Sequence, residues 1–149
     1  MNIREMKIED YDKVFALWKT IKGFGIRSVD DSKEEIERFL KWNPGLSVVA
    51  EENGEIVGAI LCGSDGRRGC LYHVCVRQEY RMLGIGQDMV ECCKAALRKE
   101  GINKINLIAF KSNAIAILFL YLIPASTPAA SKPFAAVTPP GICFIPLIV

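Results

Sequence analysis

The sequence lacks the clustered cysteines and histidines of a zinc site and the long apolar run of a membrane-spanning helix. Only one of its 149 residues is a histidine, His73, and its six cysteines form no Cys-x-x-Cys pair. A structural zinc site needs four clustered ligands of these types, so we predict that the protein binds no metal. The apolar run at residues 114–123 has ten residues, whereas a membrane-spanning helix needs about 20. We therefore expect no membrane span.

The sequence also lacks a strong excess of charge of either sign. Its formal net charge is +2, which is too small for a protein that neutralises many phosphates, so we expect no nucleic-acid partner. The N-terminal stretch MNIREMKIED is charged at once and has no signal-peptide pattern, which predicts a cytoplasmic protein. In that compartment the cysteines stay reduced, and we expect them to pack as small apolar residues.

The last 36 residues have almost no charge and much proline. Residues 114–149 carry one charged side chain, Lys132, and six of the seven prolines. We expect residues 124–149 to form an apolar, proline-rich tail that ends in an exposed stretch, ICFIPLIV. Such a tail would promote association into a homo-oligomer. A shifted reading frame after about residue 115 is a second interpretation of the change.

The first 113 residues predict one mixed α/β (α+β) domain in the order strand, two helices, three strands, helix, strand. Apolar residues recur at helical spacing in DYDKVFALWKTI and SKEEIERFLKW, and the last helix follows Gly86. Local signals support this order: an N-cap at Asp10, a capping box at Ser32 and Glu35, a two-residue hairpin turn at Asn53-Gly54 and a helix end at Gly101.

One predicted junction between a strand and a helix contains two glycines and an arginine, in VCVRQEYRMLGIGQDMV at residues 74–90. A helix N-terminus that follows a glycine loop offers unpaired N–H groups, which suit a phosphate or pyrophosphate. Gly84 and Gly86 remove the Cβ atoms there, and Arg81 adds a positive charge. The alternative is a tight turn with a solvated arginine. The dinucleotide fingerprint does not fit, because Met89 stands where it requires glycine, and the P-loop motif is absent.

The segment Arg81-Met82-Leu83-Gly84-Ile85-Gly86 resembles motif A of the GCN5-related N-acetyltransferase (GNAT) family, Arg/Gln-x-x-Gly-x-Gly/Ala after a strand. The order of elements matches this family too, and KINLIAFKSN resembles its fifth strand and the following asparagine, most of all in RimI-like members. The resemblance covers residues 2–113. It implies a mostly antiparallel sheet flanked by helices, with the acetyltransferase domain at 1–123 and the tail at 124–149.

The resemblance implies acetyl-CoA as the acyl donor. Its pantetheine arm would lie along the backbone of Val74, Cys75 and Val76. Its pyrophosphate would meet Arg81 and the amides of the helix start: Met82, Leu83, Gly84, Ile85, Gly86 and Gln87. Asn113 matches a family residue that contacts the donor, although an ordinary helix cap is an alternative.

Catalytic side chains are harder to assign by resemblance. The position of the base in RimI-like relatives falls on Ile108, which cannot take a proton, and Tyr121 is one residue beyond the position of their acid. Tyr121 is our candidate acid, with a core or surface tyrosine as the alternative. Tyr72 and His73 are further candidates that we expect on opposite faces of one strand, with a packed or capped histidine ring as the alternative for His73. We expect Glu79 to pair with Arg77 or Arg81.

The acceptor implied by the family is a primary amine that attacks the thioester directly. It could be a protein N-terminus, a lysine, a polyamine or a small antibiotic-like amine. Asp30, Asp31 and Glu34 would favour a cationic amine, or they form an ordinary solvated face. Two other functions stay open: a coenzyme A-binding module with little or no turnover, and an interaction protein with an apolar docking tail.

Overall fold

The computed structural model describes residues 1–22, 24–110 and 142–148 of the chain. Within these ranges six strands and three α-helices follow one another. The strands are β1 (Asn2–Glu5), β2 (Val48–Glu52), β3 (Glu55–Ser64), β4 (Gly69–Val76), β5 (Lys104–Phe110) and β6 (Ile142–Ile148). The helices are α1 (Tyr11–Thr20), α2 (Lys33–Trp42) and α3 (Ile85–Lys99).

The strands form one sheet in the order of the sequence, β1 to β6. All neighbours are antiparallel except β4 and β5, which are parallel. A parallel pair requires a crossover connection, and α3 supplies it. The predicted mixed, mostly antiparallel fold is confirmed.

The two faces of the sheet carry different helices. On one face α1 and α2 bury Val14, Leu17, Trp18 and Ile36 against the sheet. On the other face α3 buries the side chains that recur at helical spacing along it, namely Met89, Val90, Cys93 and Leu97. Each helix therefore presents one apolar face to the sheet, as the sequence pattern predicts.

Most local signals are confirmed. Asn53 and Gly54 have φ values of 51° and 80°, as the predicted hairpin turn requires. Ser32 caps α2 by accepting a hydrogen bond from the Glu35 amide, and Gly101 ends α3 with a φ of 77°. Asp10 lies at the predicted N-cap position of α1, but its side chain makes no capping hydrogen bond. Its carboxylate does not cap α1 because it accepts hydrogen bonds from the Arg4 guanidinium and the Lys7 amide instead.

The C-terminal stretch that we expected to end a tail forms a strand. Residues Ile142 to Ile148 of β6 pair with β5 over its whole length. Pro146 lies opposite Asn106 in this ladder, and β6 is the last strand in the order of the sheet. An edge strand tolerates proline, because a missing N–H on its outer side breaks no hydrogen bond.

Five cysteines are free thiols, as predicted, namely Cys62, Cys70, Cys75, Cys92 and Cys93. Cys62, Cys75 and Cys93 are buried, whereas Cys92 is exposed, so the expectation of a packed thiol does not hold there. No helix in the described part of the chain is long and apolar enough to cross a membrane.

Candidate active site

The sheet opens between β4 and β5. The two strands pair from Gly69 opposite Ile105 to Leu71 opposite Leu107, and within the described residues the pairing stops there. Both strands continue, β4 to Val76 and β5 to Phe110. The edge of β4 that faces β5 therefore presents unpaired backbone groups over residues 72–76. An extended ligand can bind such an edge as an added strand.

The predicted pantetheine residues lie on this edge. Val74, Cys75 and Val76 form the last part of β4, and their other edge is held by β3, with Cys75 opposite Ala59 and Val76 opposite Gly58. Val74 and Val76 pack toward α3, whereas the Cys75 side chain is buried on the face of α1 and α2. Within the described residues, the backbone groups of these three residues on the edge that faces β5 have no strand partner.

A β-bulge interrupts β4 at the mouth of this opening. Tyr72 pairs with Leu61 and Cys75 with Ala59, so His73 and Val74 share Ile60 as their single opposite residue. His73 takes up the extra residue with a φ of 50°, in the left-handed region.

The bulge places the side chains of Tyr72 and His73 on the same face of the sheet. We expected them on opposite faces. The His73 ring lies 4.7 Å from Trp18 of α1, and the Tyr72 ring lies 6.0 Å from Phe39 of α2. Both helices cover the same face of the sheet. Regular alternation along the strand is therefore the wrong assumption here, because the extra residue shifts the pattern by one.

The loop after β4 has the backbone geometry of an anion site. Met82 and Gly84 both have left-handed backbones, with φ values of 63° and 83°. Such turns make successive N–H groups converge in a concave nest. The 15-residue helix α3 begins directly after Gly84, and its first turn adds amides that have no partner within the helix.

The space in front of this loop is open. A Cβ atom added at Gly84 would meet no described atom within 4 Å, so the glycine serves backbone conformation and leaves room for a ligand. Asp88 in the first turn of α3 is exposed, so its carboxylate lies toward solvent. The residues present thus fit a pyrophosphate group at the start of α3.

Arg81 connects the loop to the strand. Its Nε donates a hydrogen bond of 2.9 Å to the carbonyl oxygen of Val76, and its charge lies beside the helix start. The predicted pairing of Glu79 with Arg77 or Arg81 is wrong. Nη2 of Arg77 lies 3.8 Å from Oε2 of Glu55 instead, and no ion pair of Glu79 occurs within the described ranges.

His73 is part of a hydrogen-bonded cluster that the sequence did not reveal. Its Nε2 lies 2.6 Å from Oδ1 of Asp31, a residue that is 3% exposed. The other carboxylate oxygen of Asp31 accepts a hydrogen bond from the Arg27 amide, and its backbone carbonyl accepts one from the Tyr11 hydroxyl. Asp31 is therefore a buried partner of His73 and does not belong to a solvated face.

Burial decides the protonation of two other side chains at the opening. Burial raises the pKa of the Cys75 thiol to about 12, so at neutral pH it is a thiol and a poor nucleophile. Burial, helped by Cys70, also raises the pKa of the Tyr72 phenol. Tyr72 therefore stays protonated and can donate a hydrogen bond.

A shallow groove of about 470 Å³ runs beside α2. Its lining comes from that helix, from the loop before it and from the residue that follows it, namely Asp30, Glu35, Arg38, Phe39, Trp42 and Asn43. Phe39 contacts Tyr72, so the groove adjoins the bulged part of β4. It contains one of the predicted acidic residues, Asp30, whereas Glu34 does not line it.

Two predicted site residues, Asn113 and Tyr121, lie outside the described residues. Ile108 lies in β5, where its backbone is opposite Phe144 of β6.

The chain is similar to known acetyltransferases in sequence. Residues 11–121 match the model of the acetyltransferase (GNAT) family. An acetyltransferase of Sodalis glossinidius is 36% identical over 121 residues, which cover 81% of this chain and 83% of that protein. An acetyltransferase of Pectobacterium atrosepticum is 35% identical over 113 residues, covering 76% and 79%.

Solved structures show the same fold at low sequence identity. The PaiA N-acetyltransferase of Thermoplasma acidophilum, solved in complex with coenzyme A, matches with a TM-score of 0.79 and 16% identity over 99% of this chain and 98% of that chain. The ribosomal-protein-S18-alanine N-acetyltransferase of Escherichia coli matches with a TM-score of 0.71 and 16% identity over 99% and 93%.

Proposed function

The chain belongs to the acetyltransferase (GNAT) family, and from this premise we propose that it transfers the acetyl group of acetyl-CoA to a primary amine by direct attack. The observation that carries the proposal is the opening between β4 and β5 next to the glycine-opened start of α3. An unpaired strand edge and an anion nest lie end to end there, as an extended ligand with a pyrophosphate requires.

We assign the donor site to these two features. The backbone of Val74, Cys75 and Val76 would hold the pantetheine arm, and the amides from Met82 to Gln87 would hold the pyrophosphate. Arg81 would add its charge while its Nε keeps the loop against the end of β4. Asn113 belongs to this proposal through the family resemblance alone.

The state of the thiols at the opening supports direct attack. An acetyl-enzyme route needs a nucleophile that is deprotonated or paired with a base. Cys70 and Cys75 are the thiols on β4, and burial raises the pKa of both, so both are neutral at physiological pH. The amine therefore reacts with the thioester itself. Tyr121 remains our candidate for the acid that protonates the departing sulfur.

The acceptor would approach from the face of α1 and α2, where Tyr72 and His73 lie. The class we propose is a primary amine that is cationic in solution, either a protein N-terminus or lysine, or a small amine. Asp30 in the neighbouring groove supports a cation. The fold match with an enzyme that acts on the alanine of ribosomal protein S18 makes a peptide N-terminus the first acceptor to test.

One observation favours a second function, a coenzyme A-binding module with little or no turnover. Ile108 occupies the place of the base in RimI-like relatives and cannot accept a proton. A module of this kind would keep the donor site and lack acetyl transfer.

Mass spectrometry of the products separates the two functions. The protein is incubated with acetyl-CoA and, in turn, a peptide with an N-terminal alanine, lysine and spermidine. Acetylated amine in amounts equal to the released coenzyme A supports the enzyme. Coenzyme A release without acetylated amine contradicts it. Since Cys92 is exposed and can react with thioesters by itself, a reaction without amine is the control.

The proposal also includes a cytoplasmic location. Association into a homo-oligomer remains a prediction, which light scattering of the purified chain tests.

A further inference from the structure

The single histidine of the chain occupies a special place in the fold. His73 sits on the β-bulge where β4 leaves β5, directly before the proposed pantetheine residues Val74 to Val76. A left-handed backbone is sterically strained at a residue other than glycine. The surrounding structure holds His73 there nonetheless, with its ring 4.7 Å from Trp18 and 4.8 Å from Phe24.

The contact with Asp31 decides which ring nitrogen is free. An ionised carboxylate only accepts hydrogen bonds, so the 2.6 Å contact requires a proton on Nε2 of His73. In the neutral ring the lone pair is then on Nδ1. Within the described ranges Nδ1 has no hydrogen-bond partner, and 23% of the His73 side chain is exposed. The ring thus has one fixed nitrogen and one nitrogen that can take a proton.

We propose that Nδ1 of His73 accepts the proton that the acceptor amine must lose, and that Asp31 is a positioning residue that fixes the ring and its tautomer. The inference rests on the proposed function. It supplies the base that Ile108 cannot supply, from a strand on the other side of the opening.

In the proposed acetyl transfer, the acceptor arrives as an ammonium ion and gives one proton to Nδ1 of His73. The nitrogen lone pair then forms the C–N bond with the acetyl carbonyl carbon while the C–S bond breaks. The second nitrogen proton ends on the sulfur, which gives an amide and the coenzyme A thiol. His73 returns its proton to water.

The charges around the pair suit this role. The titratable groups near the pair include Tyr11 on α1, Arg27 and Asp30 in the loop before α2, Lys33 and Glu34 on α2 and Tyr72 on β4. The Tyr11 hydroxyl and the Arg27 amide are already bonded to Asp31. The remaining carboxylates attract an ammonium ion.

The first test does not depend on turnover. Because the chain has one histidine, nitrogen NMR of untagged, labelled protein reads the tautomer of His73 directly. We expect a proton on Nε2 and a free Nδ1 in the neutral ring. A proton on Nδ1 overturns the inference and leaves the proposed function intact.

The second test measures kinetics on the full chain. His73→Gln should lower kcat by about 100-fold, as is common for loss of a general base, and should remove the acidic limb of the pH profile of kcat/KM. Binding of acetyl-CoA, measured by calorimetry, should not change. Asp31→Asn should raise the fraction of the neutral ring that carries its proton on Nδ1, measured by the same nitrogen NMR, because the carboxylate that fixes the tautomer is lost.

The matched control is Arg4→Gln. Arg4 lies on β1, at the opposite edge of the sheet, and the substitution breaks its ion pairs with Asp10 and Glu51. It should lower stability while both kcat and the pH profile stay the same. A His73→Gln variant that keeps the acidic limb shows that His73 is only structural and overturns the inference. If the wild type binds acetyl-CoA but acetylates none of the tested amines, the proposed function and the base assignment both fail.

Discussion

Arg81 and Val76 join the two parts of the donor site. The Nε of Arg81 donates a 2.9 Å hydrogen bond to the carbonyl oxygen of Val76, the last residue of β4. The anion loop is thus tied to the strand edge that it follows. One side chain has two roles here, because it fixes the loop and adds positive charge next to the amides of α3.

We expect Arg81→Ala to weaken acetyl-CoA binding by at least tenfold, since the variant loses a hydrogen bond from a charged donor, worth about 1.5–3 kcal/mol, and a charge at the phosphate site. Calorimetric titration measures the change. Arg67→Ala is the matched control, because it removes the same charge from the exposed turn at the other end of β4. Equal affinities of the two variants would contradict the role of Arg81.

Glycine substitutions at Met82 and at its neighbour Leu83 should change the free energy of unfolding differently. Both side chains are exposed, by 88% and 67%, so their removal loses little buried surface. Met82 has a φ of 63°, a conformation that glycine adopts without strain. We expect Leu83→Gly to lower the free energy of unfolding by about 0.5–1 kcal/mol, and Met82→Gly not to lower it. Urea unfolding of the two variants measures the difference, and an equal loss would show that Met82 carries no strain.

The pKa of Asp10 determines part of how the stability of the protein changes in acid. Its hydrogen bonds with Arg4 lower the pKa of the Asp10 carboxyl below the ordinary value of 3.8. The folded state therefore holds the proton less tightly than the unfolded state. This contribution to stability is present above about pH 4 and is lost as the pH falls through the lower pKa of the folded state.

Asp10→Asn should therefore flatten the loss of stability below pH 4 and lower stability at pH 7. Thermal unfolding between pH 2 and pH 7 measures both effects. A steep acid limb that persists in the variant would assign it to other carboxylates.

Direct transfer predicts that no acetyl group rests on the donor strand. Because the Cys75 pKa is about 12, the peptide that contains Cys75 should keep its mass after incubation with acetyl-CoA alone. Initial rates with both substrates varied should give intersecting lines. An acetylated Cys75 together with parallel lines would indicate an acetyl-enzyme route.

Local features of the site could be predicted from sequence because their causes are local. Asn53-Gly54 and Gly84 adopt positive φ values where turn chemistry requires them. The glycine motif that follows a strand predicted the start of α3 and its free amides. These signals need only a few neighbouring residues.

The features that were missed depend on contacts between distant segments. His73 and Asp31 are 42 residues apart, and no pattern of spacing brings them together. The bulge that turns Tyr72 and His73 to one face is set by the register of β4 against β3. In the same way β6 is a strand because β5 offers it a free edge, which its own proline-containing sequence does not show.

The central claim is that the opening between β4 and β5 and the start of α3 bind acetyl-CoA. Calorimetric titration of the full chain tests it, with Gly84→Glu to place a carboxylate in the open space before the nest. The matched control is Gly66→Glu, since Gly66 has a similar φ of 82° and open surroundings in the turn between β3 and β4. We predict stoichiometric binding by the wild type and Gly66→Glu and none by Gly84→Glu. Absence of binding by the folded wild type, or equal binding by both variants, would contradict the account.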